Sequence, residues 1–326
     1  MSRFRIFAAV ALLGVFLAAG VWAQGLTLAV KTVDTMNTLW GRHPFTRANH
    51  AKGVVVEGSF TGTPAAKELS KAAIFSGQPV TVTVRFSNST GMPALPDGSP
   101  DANPHGMAIK FYDATGDLDI VANSLPFFPV ATGEDFLALL EALAASGPEA
   151  PKPTPADKFI AAHPSVAKAF GAVSTPVSFA RETYNGVDAF IFVNANGDRQ
   201  PFRFQLVPVA GTQHLSSAEA ARMPPDFLVD ELPARLAKEA VAFHLIAQLA
   251  NPGDQTRDPT QPWPEDRRRV HMGTLVLTGA AADNVKAQRD LRFLPNRLAS
   301  GIEVSDDPLI DARVRAYVIS FGRRVH

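Results

Sequence analysis

Pro79-Val80-Thr81-Val82-Thr83-Val84-Arg85-Phe86-Ser87 alternates apolar and polar side chains more cleanly than any other stretch of the chain. A period of two residues predicts a β-strand with one buried face. Val80, Val82, Val84 and Phe86 form the apolar face, and Thr81, Thr83, Arg85 and Ser87 the other. Further strands are predicted at Gly53–Phe60, Gly106–Tyr112, Asp119–Ala122 and His271–Thr278. Two more, Asp188–Val193 and Phe202–Val207, flank an Asn-Ala-Asn-Gly-Asp turn. A Pro-, Gly-, Asn- and Asp-rich loop fills Asn88–Pro104. Helical patterns occupy Pro64–Phe75, Glu134–Ala145, Asp230–Leu249 with Pro233 in its first turn, and the arginine-rich end from Pro308 to His326. Leu26–Leu39 reads as an amphipathic lead-in. Strands separated by turns, then helices, predict an α+β fold: an antiparallel β-barrel with peripheral and inserted helices.

The 326 residues are 46% apolar and 19% charged, enough for one large core. Thirty-one basic and 31 acidic side chains balance, so no domain-scale basic field points to nucleic acid. The absence of cysteine excludes disulfides, thiolate nucleophiles, zinc–thiolate sites, iron–sulfur clusters and thiolate-ligated or Cys-attached haem. No His-Glu-x-x-His, Gly-x-Ser-x-Gly or phosphate-loop pattern occurs.

Residues 1–24 are expected to be a targeting segment. Arg3 and Arg5 precede an apolar run from Ile6 to Ala23, which ends in Val21-Trp22-Ala23. A cleaved signal peptide fits this best. The run is also just long enough for an anchor, which would tether the protein to a membrane through residues 6–23. The body, 25–326, would then be exported, to the periplasm in a bacterium.

Four clusters of polar residues could carry chemistry. Arg313 and Tyr317 lie four apart on the last predicted helix, one above the other. A guanidinium beside a phenol favours the phenolate, a hard ligand for ferric iron. Arg324 falls on the same side if the helix continues. His50, in Arg47-Ala48-Asn49-His50-Ala51-Lys52-Gly53, could shuttle a proton between the two oxygens of a peroxide. Arg85 and Ser87 share a strand face, where an arginine can hold a carboxylate and a serine can orient an imidazole. Asn123, before Ser124-Leu125-Pro126, has an amide able to donate to bound peroxide. Each also has an ordinary structural reading, and on spacing alone that reading is the better one.

These stretches occur together, in an order and at spacings that resemble the haem catalase family, within it the short, exported catalase-related peroxidases. The similarity runs over residues 40–324 and includes Gly106-Met107-Ala108-Ile109-Lys110-Phe111-Tyr112, Gly273–Thr278, Pro295–Gly301 and Asp307-Pro308. The resemblance implies a catalase-like barrel holding haem b, iron protoporphyrin IX. It implies His50 and Asn123 as distal residues and Ser87 as the partner of His50. Tyr317 would be the iron ligand, with Arg313 beside its phenolate. Arg47, Arg85 and Arg324 would pair with the propionates, and Phe136 would line the pocket.

Several features depart from the larger catalases. The chain ends at His326, soon after Tyr317, which is followed by Val-Ile-Ser-Phe, and Asn49 stands where an apolar residue is usual. The implied activity is a peroxidase that takes organic hydroperoxides or hydrogen peroxide and small electron donors, through a ferryl intermediate. Disproportionation of hydrogen peroxide, rearrangement of a lipid hydroperoxide and a non-catalytic haem carrier remain alternatives on the same site.

Overall fold

A computed structural model describes residues 24–113 and 117–325. The expected targeting segment lies outside the described residues, apart from Gln24. Among the described residues no helix is long and apolar enough to cross a membrane.

Helix α1 spans 24–40. The elements that follow are β1 (Gly53–Gly62), α2 (Pro64–Leu69), β2 (Val80–Ser87), β3 (Gly106–Tyr112), β4 (Leu118–Asn123), α3 (Gly133–Ala144), α4 (Pro155–Ala162), α5 (Pro164–Gly171), β5 (Tyr184–Asn185), β6 (Phe190–Val193), β7 (Arg199–Pro208), α6 (Ser217–Ala220), α7 (Phe227–Leu236), β8 (Val241–Leu249), β9 (Arg269–Ala280), α8 (Asn284–Asp290), β10 (Ile302–Val304) and α9 (Pro308–Val325). The sheet runs β10-β6-β7-β5-β4-β3-β2-β1-β9-β8, and a further pairing of β7 with β8 closes it. β1, β2, β3, β4, β5, β7, β8 and β9 therefore form an antiparallel barrel, with β6 and β10 as an extension. Closure leaves no free edge on the ring.

The alternation of β2 is realised in the packing. Val80, Val82, Val84 and Phe86 are buried inside the barrel with Phe60, Phe111, Phe202 and Phe243. Each such aromatic is worth about 1.5–3 kcal/mol of burial. On the opposite face Thr81 is exposed and Thr83 half-buried, but Arg85 and Ser87 are buried. Something therefore covers the outside of the barrel at the end of β2, and that something is the site.

Two predicted helices are corrected. Pro64–Phe75 stops at Leu69, because Ser70 turns extended and its hydroxyl donates to Gly301 O at 2.8 Å. A separate 3₁₀ turn follows at Ala73–Phe75. Asp230–Leu249 is a helix only to Leu236, and Val241–Leu249 is β8. Ala-Lys-Glu at 237–239 favours helix, but Val241, Phe243, Leu245, Ala247 and Leu249 are the buried alternate residues of a strand paired on both sides. Tertiary pairing overrides local preference here.

Candidate active site

Strand register builds one wall of a cavity. Ser87 pairs with Gly106, and Gly106 with Asn123, so the three lie in a row across β2, β3 and β4. Arg85, Ala108 and Val121 form the next row on the same face. α9 supplies another wall, with Arg313, Tyr317 and Arg324, and α1 and α3 close the sides. The cavity encloses about 230 Å³ and its lining is mainly apolar, including Leu28, Val33, Phe128, Phe136, Phe170 and Phe293. All nine residues singled out in the sequence line it: His50, Ser87, Asn123, Arg47, Arg85, Arg313, Arg324, Phe136 and Tyr317.

His50 stands at the entrance to β1 in a left-handed conformation, φ 57°. The Asn49 side chain caps its N–H at 2.8 Å, and Arg85 holds its carbonyl at 2.8 Å. Such a conformation costs a non-glycine residue about 1 kcal/mol or more, and here its neighbours maintain it. The imidazole Nδ1 lies 2.8 Å from Asn88 O and 3.2 Å from Ser87 Oγ. A carbonyl can only accept, so Nδ1 carries the hydrogen and Nε2 keeps its lone pair. Burial, and then the Arg85 charge, push the His50 pKa down from 6.5 to about 4; Arg47 and Arg313 add to this, while the Asn88 hydrogen bond opposes it. His50 is thus a neutral base at physiological pH.

Gly106 is required behind it. A Cβ there would lie 2.8 Å from Ser87 Oγ and 3.2 Å from His50 Cε1. The Asn123 amide is also oriented, because its oxygen accepts from Leu125 N at 2.8 Å and leaves the NH2 for the cavity. Phe136 packs on Phe128 with ring centroids 5.6 Å apart.

On α9, Arg313 Nε and Nη2 lie 3.3 and 3.2 Å from the Tyr317 hydroxyl oxygen. Its third nitrogen pairs with Asp188, which is buried just before β6. Burial alone would lower the Arg313 pKa, but Asp188 and Tyr317 more than offset this and raise it. Arg313 is therefore a permanent cation presented to the phenol oxygen.

Arg47, Arg85 and Arg324 differ from it. Arg47 donates to Gln288 O and Leu291 O at 2.7 and 2.8 Å, and Arg324 to Arg289 O and Leu291 O at 2.8 and 2.7 Å. Arg85 also donates to Gln288 Oε1 at 2.9 Å. None of the three forms an ion pair with a carboxylate among the described residues. Burial and mutual repulsion push Arg85 down to about 9. Burial pushes Arg324 down to about 10, against Asp290, and lowers Arg47, which Arg85 and Arg324 lower further. Three clustered guanidiniums with no carboxylate in ion-pair contact among the described residues fit an anionic ligand with more than one carboxylate.

A model of the catalase family matches residues 25–325. The chain belongs to the catalase family. It is 35% identical over 299 residues to a catalase-related peroxidase of Mycolicibacterium paratuberculosis, covering 90% of this chain and 94% of that one. A catalase-related peroxidase of Synechococcus elongatus is 31% identical over 333 residues, covering 99% and 97%. A solved fungal catalase superposes with a TM-score of 0.78 at 22% identity, over 87% of this chain and 59% of its own. The catalase family binds haem, and the site offers what haem needs: a phenol beside a fixed cation for the iron, and unpaired arginines for its carboxylates.

For this catalase-family chain, sequence reasoning missed Asp188, the partner of Arg313. Its sequence position reads as the start of a strand, and nothing local marks a single aspartate after Asn-Gly-Val as a buried ion-pair member. It also missed the Asn88 carbonyl and the cavity residues of α1, including Thr32, Val33 and Met36. The period of the lead-in was the one signal for the latter.

Proposed function

We propose that this protein is a haem b peroxidase that reduces organic hydroperoxides or hydrogen peroxide at the expense of small electron donors. The observation that carries the reading is a neutral imidazole with a free Nε2 sharing one cavity with a phenol that a charge-locked arginine holds. Tyr317 would hold the iron, and Arg47, Arg85 and Arg324 would pair with the propionates. When bound, the haem supplies the two electrons that cleave the peroxide O–O bond, and two one-electron donors restore them.

The chain's own residues handle protons and charge. His50 Nε2 would take a proton from one oxygen of the peroxide and return it to the departing oxygen. The Asn123 NH2 donates to the peroxide, and the Ser87 and Asn88 contacts hold the imidazole in the basic tautomer. Arg313, fixed by Asp188, favours the ionised form of Tyr317. The mainly apolar lining suits the alkyl part of an organic hydroperoxide. Two relatives that span at least 90% of the chain are named catalase-related peroxidases, which supports electron-donor oxidation over disproportionation.

The test is the absorption spectrum of purified protein supplied with haem, alongside Tyr317→Phe and His50→Ala. A Soret band in all three, a changed ferric spectrum in Tyr317→Phe, and lost peroxide turnover with retained haem in His50→Ala support the reading. No Soret band in the wild type refutes it, and an unchanged Tyr317→Phe spectrum refutes the ligand. Dye oxidation compared with oxygen evolution separates peroxidase from catalase action. Arg3, Arg5 and the apolar run to Ala23 support a second part of the proposal, that the protein is exported. Fractionation of cells and the N-terminal mass of the recovered protein test it, and distinguish a cleaved leader from a tether.

A further inference from the structure

Behind the wall that carries His50 lies a buried ion pair that the chemistry above does not use. Lys52 Nζ sits 2.8 Å from Asp97 Oδ1, and Asp97 is fully buried. Lys52 also reaches Asp226 at 2.5 Å, Pro225 O at 2.8 Å and Leu95 O at 3.0 Å. Asp97 Oδ2 accepts from Leu228 N at 2.8 Å and more weakly from Val229 N at 3.4 Å, in the first turn of α7. A carboxylate so enclosed would be strongly unfavourable without these partners.

The pair touches His50 through one residue. Asp97 Oδ1 accepts from Asn88 Nδ2 at 2.7 Å, and the Asn88 N–H donates to Lys52 O at 3.1 Å. The Asn88 carbonyl is the acceptor that fixes the His50 tautomer. The same loop is tied back again where Ala51 N donates to Thr90 O at 3.0 Å. Asn88 is thus clamped at both its backbone and its side chain by the two members of the ion pair, and its one remaining main-chain group aims at the imidazole.

We propose that Asp97, with Lys52, is a positioning residue for the proton transfer: it holds the Asn88 carbonyl against Nδ1 and so keeps Nε2 of His50 unprotonated and aimed into the cavity. Asp97 touches neither peroxide nor haem. The inference rests on the reading of His50 as the distal base. Loss of the clamp frees the carbonyl to swing away, and the imidazole then populates the tautomer with hydrogen on Nε2, which cannot accept a proton from a ligand.

The experiment uses the haem-loaded full chain and two ferric ligands. Hydrogen cyanide must give up its proton to bind, whereas nitric oxide carries none. In Asp97→Asn the cyanide association rate is expected to fall at least about tenfold, by analogy with the loss of partners that orient metal-ligating histidines. Nitric oxide association, haem content and circular dichroism should stay at wild-type values. Unchanged cyanide association overturns the proposal, and so does an equal fall for both ligands, which would mark a general collapse of the pocket. If Asp97→Asn does not fold, Asn88→Ala decides in its place, since it unhooks the carbonyl from Asp97 while leaving the ion pair intact, and the same cyanide-specific loss is expected. A wild type that binds cyanide no faster than His50→Ala refutes the underlying assignment of His50 instead, because the Asp97 variant then has no base to misplace.

Discussion

The depressed basicity of His50 makes a prediction with a definite sign and size. In an unfolded chain a histidine titrates near 6.5, and in this site burial and Arg85 bring it to about 4. A base whose folded pKa lies below its unfolded value contributes its full stability above pH 6.5. That stability is lost as the pH falls from 6.5 towards 4, because the unfolded chain binds the proton first. The full span is worth about 3 kcal/mol, and at pH 4.5 the loss is about 2–3 kcal/mol. The perturbation is His50→Gln, which keeps a polar side chain of similar size and does not titrate. Urea denaturation of haem-free wild type and variant at pH 7.5 and 4.5 reads the difference. Groups far from His50 titrate alike in both proteins and cancel. Wild type should lose about 2–3 kcal/mol more than the variant between the two conditions. In parallel, the rate of the Soret change on mixing haem-loaded protein with peroxide should stay flat from pH 8 through 6.5 and fall only at lower pH, because burial keeps the imidazole below its ordinary value. Equal acid destabilisation of the two proteins, or a kinetic break near 6.5, would falsify the assignment of a neutral, desolvated base.

Gly106→Ala should drive its new Cβ against Ser87 Oγ and His50 Cε1, displacing the imidazole and cutting peroxide turnover by about 100-fold while the Soret band remains; adding Ser87→Gly should recover part of the rate in stopped-flow assays. Asp188→Asn removes the carboxylate that locks Arg313, so visible spectroscopy should show a weakened ferric phenolate charge-transfer feature, with His50-dependent cyanide binding unaltered. Asp307, raised from 3.8 to about 7 first by burial and then by Asp188, should make the protein less stable as the pH rises from 4 through 7. Asp307→Asn should flatten that slope in thermal melts, and an unchanged slope would show that the carboxyl is not the titrating group.

Much of the fold was legible because period-2 patterns survive wherever one face meets the core, as in β2 and β3. The barrel's closure was less so. β8 was hidden by the helix-forming residues before it, and β5 is two residues long, too short to carry any period. The site was legible as a whole only through its ordered resemblance to the haem catalases, and local spacing helped at two places. Arg313 and Tyr317 share one helix, and Ser87 and Arg85 share one strand face, so local spacing already places each pair. His50 and Asn123 had no such local warrant, and register brought them together through Gly106. Asp188 and Asp97 were invisible because their cationic partners, Arg313 and Lys52, lie 125 and 45 positions away, and each is a carboxylate whose only local feature is its turn-forming context.

The two sides of the cavity are coupled by charge. Arg47, Arg85 and Arg324 repel one another, and Arg85 and Arg47 both press the proton off His50. The cluster is therefore costly to the unliganded fold and useful to the base at once. Carboxylates arriving on a ligand would relieve the repulsion among the arginines. They would also weaken the field at the imidazole and move its pKa back up from about 4, leaving burial as the main cause of its depression. This separates the contributions. Burial of His50 comes from the barrel wall and the Asn88 loop and is present with or without a ligand, whereas the arginine field is strongest before the ligand binds. The base of the site is neutral throughout, and the counter-charge that its arginines lack is brought by the same group that Tyr317 would hold.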